Sequence, residues 1–158
     1  MSRTVPMTRV GYEALKKELD RLKREDRPHV VRQIEEARGH GDLSENAEYD
    51  AAKERQGFIE TKITEIEDKL ARAEVINPTD HRSDRVVFGA TVVLEDLDSG
   101  ETSRYQIVGE DEADIKDGKI NVHSPLARAA IGKEAGEEVI LQAPGGPRSY
   151  EILEILFE

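Results

Sequence analysis

The chain has 158 residues, of which 36% are charged, 37% hydrophobic and 4% aromatic, with no Trp and no Cys, and its formal net charge is −11. That composition excludes disulfides and thiolate metal centres, no run reaches the roughly 18 apolar residues of a membrane span, and the opening MSRTVPMT lacks the apolar core of a signal peptide, so a soluble cytoplasmic protein is expected. Residues 1–77 carry 15 Lys/Arg against 17 Asp/Glu and residues 78–158 carry 8 against 17, a balance that excludes a general phosphate-backbone binder, whose affinity comes from neutralising phosphates.

Thr8 is placed to cap a first helix, in which Tyr12, Leu15, Leu19 and Leu22 recur at the a/d spacing of a coiled-coil seam. Pro28 interrupts the pattern, and Asp26 stands where the next seam residue belongs; the register resumes at Val30, Ile34 and Ala37. A proline inside a helix removes a hydrogen bond and crowds the preceding turn, so a kink or break is expected near Glu25-Asp26-Arg27, followed by helix to about Arg38. Gly39-His40-Gly41 ends that helix. A second helix carries Tyr49, Ala52, Gln56, Ile59, Ile63, Ile66, Leu70 and Ala73 at steps of three and four. The loop between them is short enough only for an antiparallel return. Residues 1–77 are therefore expected to form an antiparallel coiled-coil hairpin with an acidic tip at 39–46.

Asn77-Pro78 stops the second helix, and 78–84 reads as a linker. From residue 85 the pattern changes. Strands are expected at 86–94, 103–108, 119–122, 138–142 and 150–157, with turns at Asp98-Ser99-Gly100 and Pro144-Gly145-Gly146. A short helix is expected from Ser124, as N-cap, through Pro125 to Gly132. Residues 85–158 thus read as a small, mostly antiparallel sheet with one short helix, which makes the whole chain α+β.

The tip holds two acids, Asp42 and Glu45. Their spacing matches a capping box, with an acceptor at the N-cap and a Glu three residues on. Alternatively, carboxylates at the end of a long arm suit Mg²⁺, a hard cation often held by one or two carboxylates plus substrate phosphates. Lys53 and Arg55 follow as RNA-contact candidates, among acids at 48, 50 and 54 that equally suggest a solvated face. His40 fits a polar loop residue, and Tyr49 the start of the seam.

The stretch Ala37 to Tyr49, with Ala51-Ala52-Lys53 and Gln56-Gly57-Phe58, resembles the tip signature of the bacterial Gre transcript-cleavage factors, and Leu43 with Gln56-Gly57-Phe58 resembles their GreA branch. Ser124-Pro125-Leu126-Ala127-Arg128-Ala129, Ile131-Gly132-Lys133-Glu134 and Pro144-Gly145-Gly146 resemble their C-terminal domain. The resemblance implies a coiled coil that enters the secondary channel of RNA polymerase, where Asp42 and Glu45 help to hold a catalytic Mg²⁺ while the polymerase cleaves the 3′ end of backtracked RNA. It implies a monomer that is not itself an enzyme, no metal held by the free protein, contact with nascent RNA only through the polymerase, no membrane, and an FKBP-like C-terminal domain docked on the channel rim through His123, Ser124 and Pro125. Two rivals remain at this point: a channel-binding regulator that does not promote cleavage, and a coiled-coil chaperone or prolyl isomerase.

Overall fold

A computed structural model describes residues 3–39, 41 and 46–158. The expectations for His40, Asp42 and Glu45 lie outside the described residues. The chain divides into two compact units: Met1–Arg3 with Tyr12–Ala73, and Thr4–Gly11 with Glu74–Glu158.

The first unit is a helical hairpin. Helix α1 (Arg9–Arg21) passes through a π-helical turn, Leu22–Asp26, into α2 (Arg27–Arg38), and α3 (Ala47–Ala71) returns. No break occurs at Glu25-Asp26-Arg27. Instead, the Arg27 amide donates to the Leu22 carbonyl, five residues back. This answers two problems at once. Pro28 cannot donate an N–H, and a wider turn relieves its crowding. The extra residue of a π turn also absorbs the eight-residue step from Leu22 to Val30, so both stay on the buried face, at 5% and 0% exposure. Leu15, Ile34 and Ala37 on one arm and Ala52, Ile59, Ile63 and Ile66 on the other complete the seam.

Polar pairs along the seam's flanks fix its register. Lys23 donates to Glu67 at 2.7 Å, Arg27 binds Glu60 through Nε and Nη2 at 2.8 Å each, and Arg55 donates to Gln33. The partners' numbers rise on one arm as they fall on the other, which is the expected antiparallel return. α3 ends at Ala71, earlier than its apolar pattern suggested, because Ala73 opens a strand.

The second unit contains two sheets. Strand β1 (Val5–Thr8) pairs with β2 (Ala73–Ile76). Strands β3 (Thr91–Asp96), β4 (Thr102–Val108), β5 (Lys119–Asn121), β6 (Glu138–Ala143) and β7 (Gly146–Leu156) form the larger sheet in the order β5-β4-β3-β7-β6. Every neighbouring pair in it is antiparallel except β4–β5. A register shift between Val93 and Leu94 in the β3–β7 pair leaves Leu153 without a partner there and exposed.

Helix α4 (Pro125–Ala130) contributes Ala127 and Ala130 to a core with Val92, Leu94, Ile107, Val139 and Ile152. The strand expected from Val86 begins only at Thr91. Val86 is fully buried and exchanges backbone hydrogen bonds with Gly132 and Lys133, but Gly89 turns the chain at φ +88°. A Cβ there would lie 3.1 Å from Pro78 Cγ, so this turn is reserved for glycine on both conformational and steric grounds.

Candidate functional site

The tip is described at its two edges. Gly39 closes α2, its amide donating to Glu35 and Glu36 carbonyls at 3.3 and 3.1 Å, and Gly41, at φ +99°, donates to the Arg38 carbonyl. On the far side Asn46 caps α3 in extended backbone, at φ −90° and ψ 97°. Its Oδ1 accepts from the Tyr49 amide at 3.1 Å, while its Nδ2 donates 2.6 Å across the hairpin to the Ala37 carbonyl. One side chain thus satisfies an orphan amide of α3 and an orphan carbonyl of α2. Asparagine carries its acceptor and its donor on separate atoms, which lets one side chain serve both tasks at once.

α3 starts at Ala47 and Asn46 holds its cap position, so the N-cap of this helix is Asn46 and not Asp42. The sequence signal for Asn46 was its place just ahead of the apolar run, but its reach to Ala37 is set by the hairpin, not by local spacing.

Small seam residues narrow the arms just behind the tip. Ala37 and Ala52 are buried, and a groove of about 250 Å³ runs beside them, lined also by Gln33, Glu36 and Arg55. Lys53 and Arg55 are both exposed, but two residues apart on a helix they do not share a face. Lys53 Nζ donates to Gln56 at 3.1 Å, whereas Arg55 reaches across to Gln33. Neither is neutralised by a carboxylate in those contacts.

Further down the arms, the Glu60 carboxyl is held below its ordinary range by the hydrogen bonds from Arg27, and the Arg27 guanidinium is raised in turn. Among the described residues, no group of three or more His, Asp or Glu side chains is arranged to hold a metal ion, and no helix is long and apolar enough to cross a membrane.

In the second unit, the Asn121 side chain accepts from the His123 amide at 2.9 Å, and Ser124 Oγ accepts from the Ala127 amide at 3.3 Å. The Ser124 cap and Pro125 in the first turn of α4 are as the sequence indicated. His123 and Pro125 are exposed, so these three residues form a rigid, accessible corner at the start of a helix. The aromatics Phe88, Tyr105, Tyr150 and Phe157 pack against the core.

Residues 5–75 match the family model described as the N-terminal part of the GreA/GreB transcription elongation factors, and residues 81–157 match the model of their C-terminal part. The chain belongs to the GreA/GreB transcription elongation factor family. Relatives named transcription elongation factor GreA are 59% identical in Halorhodospira halophila over 155 residues, 98% of either chain. Another, from Neisseria meningitidis, is 60% identical over 154 residues, 97% of this chain and 98% of the relative. A third, from Ralstonia nicotianae, is 61% identical over 150 residues, 94% and 95% of the two chains. Among solved structures, GreA factor homolog 1 of Thermus thermophilus is 31% identical with a TM-score of 0.45, covering 98% of this chain and 99% of its own.

Proposed function

We propose that this chain is a transcript-cleavage factor. Its hairpin enters the secondary channel of RNA polymerase, and the carboxylates of Asp42 and Glu45 join those of the polymerase in holding a magnesium ion beside the 3′ end of backtracked RNA. The factor is not an enzyme on its own; the hydrolysis belongs to the polymerase, and the arrested complex resumes elongation. The observation that carries this reading is the membership in the elongation-factor family across both halves of the chain, with the two acids present between helices whose ends are already capped by Gly39 and Asn46.

Two carboxylates suit Mg²⁺, whose hard oxygen-ligand chemistry leaves room for waters and phosphate. Bound there, the ion would lower the pKa of a water and neutralise charge on the leaving oxygen. The chain's own contribution is positional. A helical arm from residue 9 to residue 38 is about 45 Å long at 1.5 Å per residue, with a seam two helices thick. Lys53 and Arg55, behind the tip on different faces of α3, are the cations proposed to contact the phosphates of the extruded RNA. His123, Ser124 and Pro125 supply the rigid corner that docks on the rim of the channel.

The test is a stalled, backtracked transcription complex incubated in Mg²⁺ with and without this protein. Short 3′ RNA fragments released only with the protein are the expected outcome. Inhibited nucleotide addition with no fragments would contradict the proposal and favour a non-cleaving regulator.

A further inference from the structure

Phe58, on α3, leaves 69% of its surface in water, and an aromatic ring so placed forfeits the stabilisation of burial. It borders a groove of about 290 Å³ that lies wholly within the hairpin unit. The floor of the groove is apolar, made of the buried seam residues Leu22, Val30 and Ile59. The π turn forms part of its wall, since Leu22 and Asp26, the first and last residues of that turn, both line it. Single π turns inside helices are frequent at functional sites.

Charge is unevenly placed around the ring. Residues three, four and seven apart share a helix face. Arg55 and Lys62 therefore flank Phe58 on the side of the groove, and both line it. Glu54 and Glu65, both exposed, flank the ring on its other side. Arg21 and Asp26 stand 3.9 Å apart and offset each other, which leaves Arg55 and Lys62 set against Glu18 in the groove. The Gln33 side chain that Arg55 meets is neutral. In a chain of net charge −11, this aromatic edge is bounded on one flank by cations.

We propose that Phe58 is a stacking platform for a base of single-stranded RNA, with Arg55 and Lys62 holding phosphates to either side of it. The inference rests on the transcript-cleavage reading above, in which RNA extruded from the active centre runs back along the arm. Aromatic rings interleaved with cations hold single strands without reading sequence, because every base offers a π face. An apolar side chain of a protein partner would also fit the floor, but it would gain nothing from the cations. The placement assigns the RNA to one side of the hairpin, because Arg55 lines the groove and Lys53 does not. It also sets a length. Phe58 lies twelve residues past Asn46, the cap at the tip end of α3, which is about 18 Å along the helix axis. At about 3.4 Å per stacked nucleotide, the ring meets roughly the fifth extruded nucleotide, and the first two fall short of it.

The experiment compares the full-length wild type with Phe58→Ala, Phe58→Leu, Phe58→Tyr and Lys62→Gln. Transcription complexes backtracked by about two and by about eight nucleotides are the substrates, and the half-saturating factor concentration for RNA cleavage is measured on each. Phe58→Ala is expected to raise that concentration by about fivefold or more on the deep complex and to leave the shallow one unchanged. Phe58→Tyr should match the wild type. Phe58→Leu should behave as Phe58→Ala, because it keeps apolar bulk and loses the π face. Lys62→Gln should weaken the deep complex alone and flatten its salt dependence. The contact itself is read with the unaltered chain. A 5-iodouridine at about the fifth extruded position of the deep complex is irradiated before Mg²⁺ is added, and the crosslinked peptide should contain Phe58.

Unchanged cleavage by Phe58→Ala on the deep complex would overturn the proposal. An equal loss on both complexes, or a Phe58→Leu variant that matches the wild type, would overturn it too and assign the groove to an apolar contact with the polymerase. Fragments released by the wild type without a crosslink at Phe58 would remove the RNA contact and leave the cleavage reading intact. A crosslink at Phe58 without fragments would do the reverse, and the absence of both would sink both.

Discussion

The hairpin and the sheet unit are stabilised in different ways. In the hairpin, each buried residue serves one level of a two-helix seam, and Lys23–Glu67 and Arg27–Glu60 fasten the arms at exposed positions. Its order is linear, because residues that meet across the seam are successive steps of one register. In the sheet unit, residues from Val86 to Ile152 converge on a single core fed by five strands and α4. There, a change at one position is felt by all the others. The hairpin is built as a support for what it carries at its end; the sheet unit is built as a body.

The largest expected effect tests that contrast directly. Leu94 is 1% exposed at the centre of the sheet core, and Leu94→Ala should destabilise that unit by about 2–5 kcal/mol. Urea unfolding followed by far-UV circular dichroism and by Tyr105 or Tyr150 fluorescence should then show the sheet melting before the helices. Coincident loss of both signals would show that the two units unfold as one.

Next is Asn46→Ala, which removes the cap of α3 and the bond to the Ala37 carbonyl. The expected cost is about 1–2 kcal/mol in the hairpin transition. Asn46→Asp is expected to fail as a replacement despite being a good cap, because it sets an oxygen against the Ala37 carbonyl. A melting temperature for Asn46→Asp equal to that of the wild type would refute the cross-hairpin role.

Acid should weaken both units, with the same sign for different reasons. Asp96 is held below its usual range by backbone hydrogen bonds from Asp98 and Ser99, and then by Arg148. Glu60 is held low by the hydrogen bonds from Arg27. A carboxyl whose folded pKa is depressed gives stability that is present above its unfolded pKa, 3.8 for Asp96 and 4.5 for Glu60. That stability is lost as pH falls through the lower folded value. Thermal melts from pH 6 to pH 3 should therefore fall in both transitions, with less of a fall for the hairpin in Glu60→Gln. An unchanged slope in that variant would remove Glu60 from the account.

The smallest effect is a gain. Glu151 stands directly opposite Glu138 on one side and Glu95 on the other, so three carboxylates form a row across neighbouring strands. Like charges in such pairs are destabilising. Glu151→Gln should raise sheet stability by a few tenths of a kcal/mol, read as a small rise in urea midpoint that vanishes in 1 M salt.

The same contrast explains what the sequence made legible. The hairpin's seam could be read because its periodicity is local: Ile59, Ile63 and Ile66 announce their face within two turns. The π turn could not, since a gap at Asp26 followed by Pro28 fits a break as well as an inserted residue. In the second unit, the short helix after Ser124 was legible from Ser, Pro and Gly at their separate positions. The strand start was not, because Val86 and Val87 look like strand until Gly89 turns the chain against Pro78, a residue eleven positions away.

The β1–β2 pair was missed for a related reason. Val5–Thr8 is four residues long, and Ala73 continues the apolar step of α3, so only the pairing itself distinguishes strand from helix end. At the tip, the sequence offered Asp42 as a helix cap, whereas the cap of α3 is Asn46. The deciding feature was a donor on Asn46 facing a carbonyl nine residues back. The outward-facing Phe58, 69% exposed on α3, is explained by nothing in the fold.

The most direct test of the central claim is to compare Asp42→Asn and Glu45→Gln with the wild type on one backtracked transcription complex, measuring RNA cleavage and competition for polymerase in parallel. The account predicts that each variant competes as well as the wild type and releases 3′ fragments at no more than the polymerase's unassisted rate. Cleavage at the wild-type rate by both variants would contradict it.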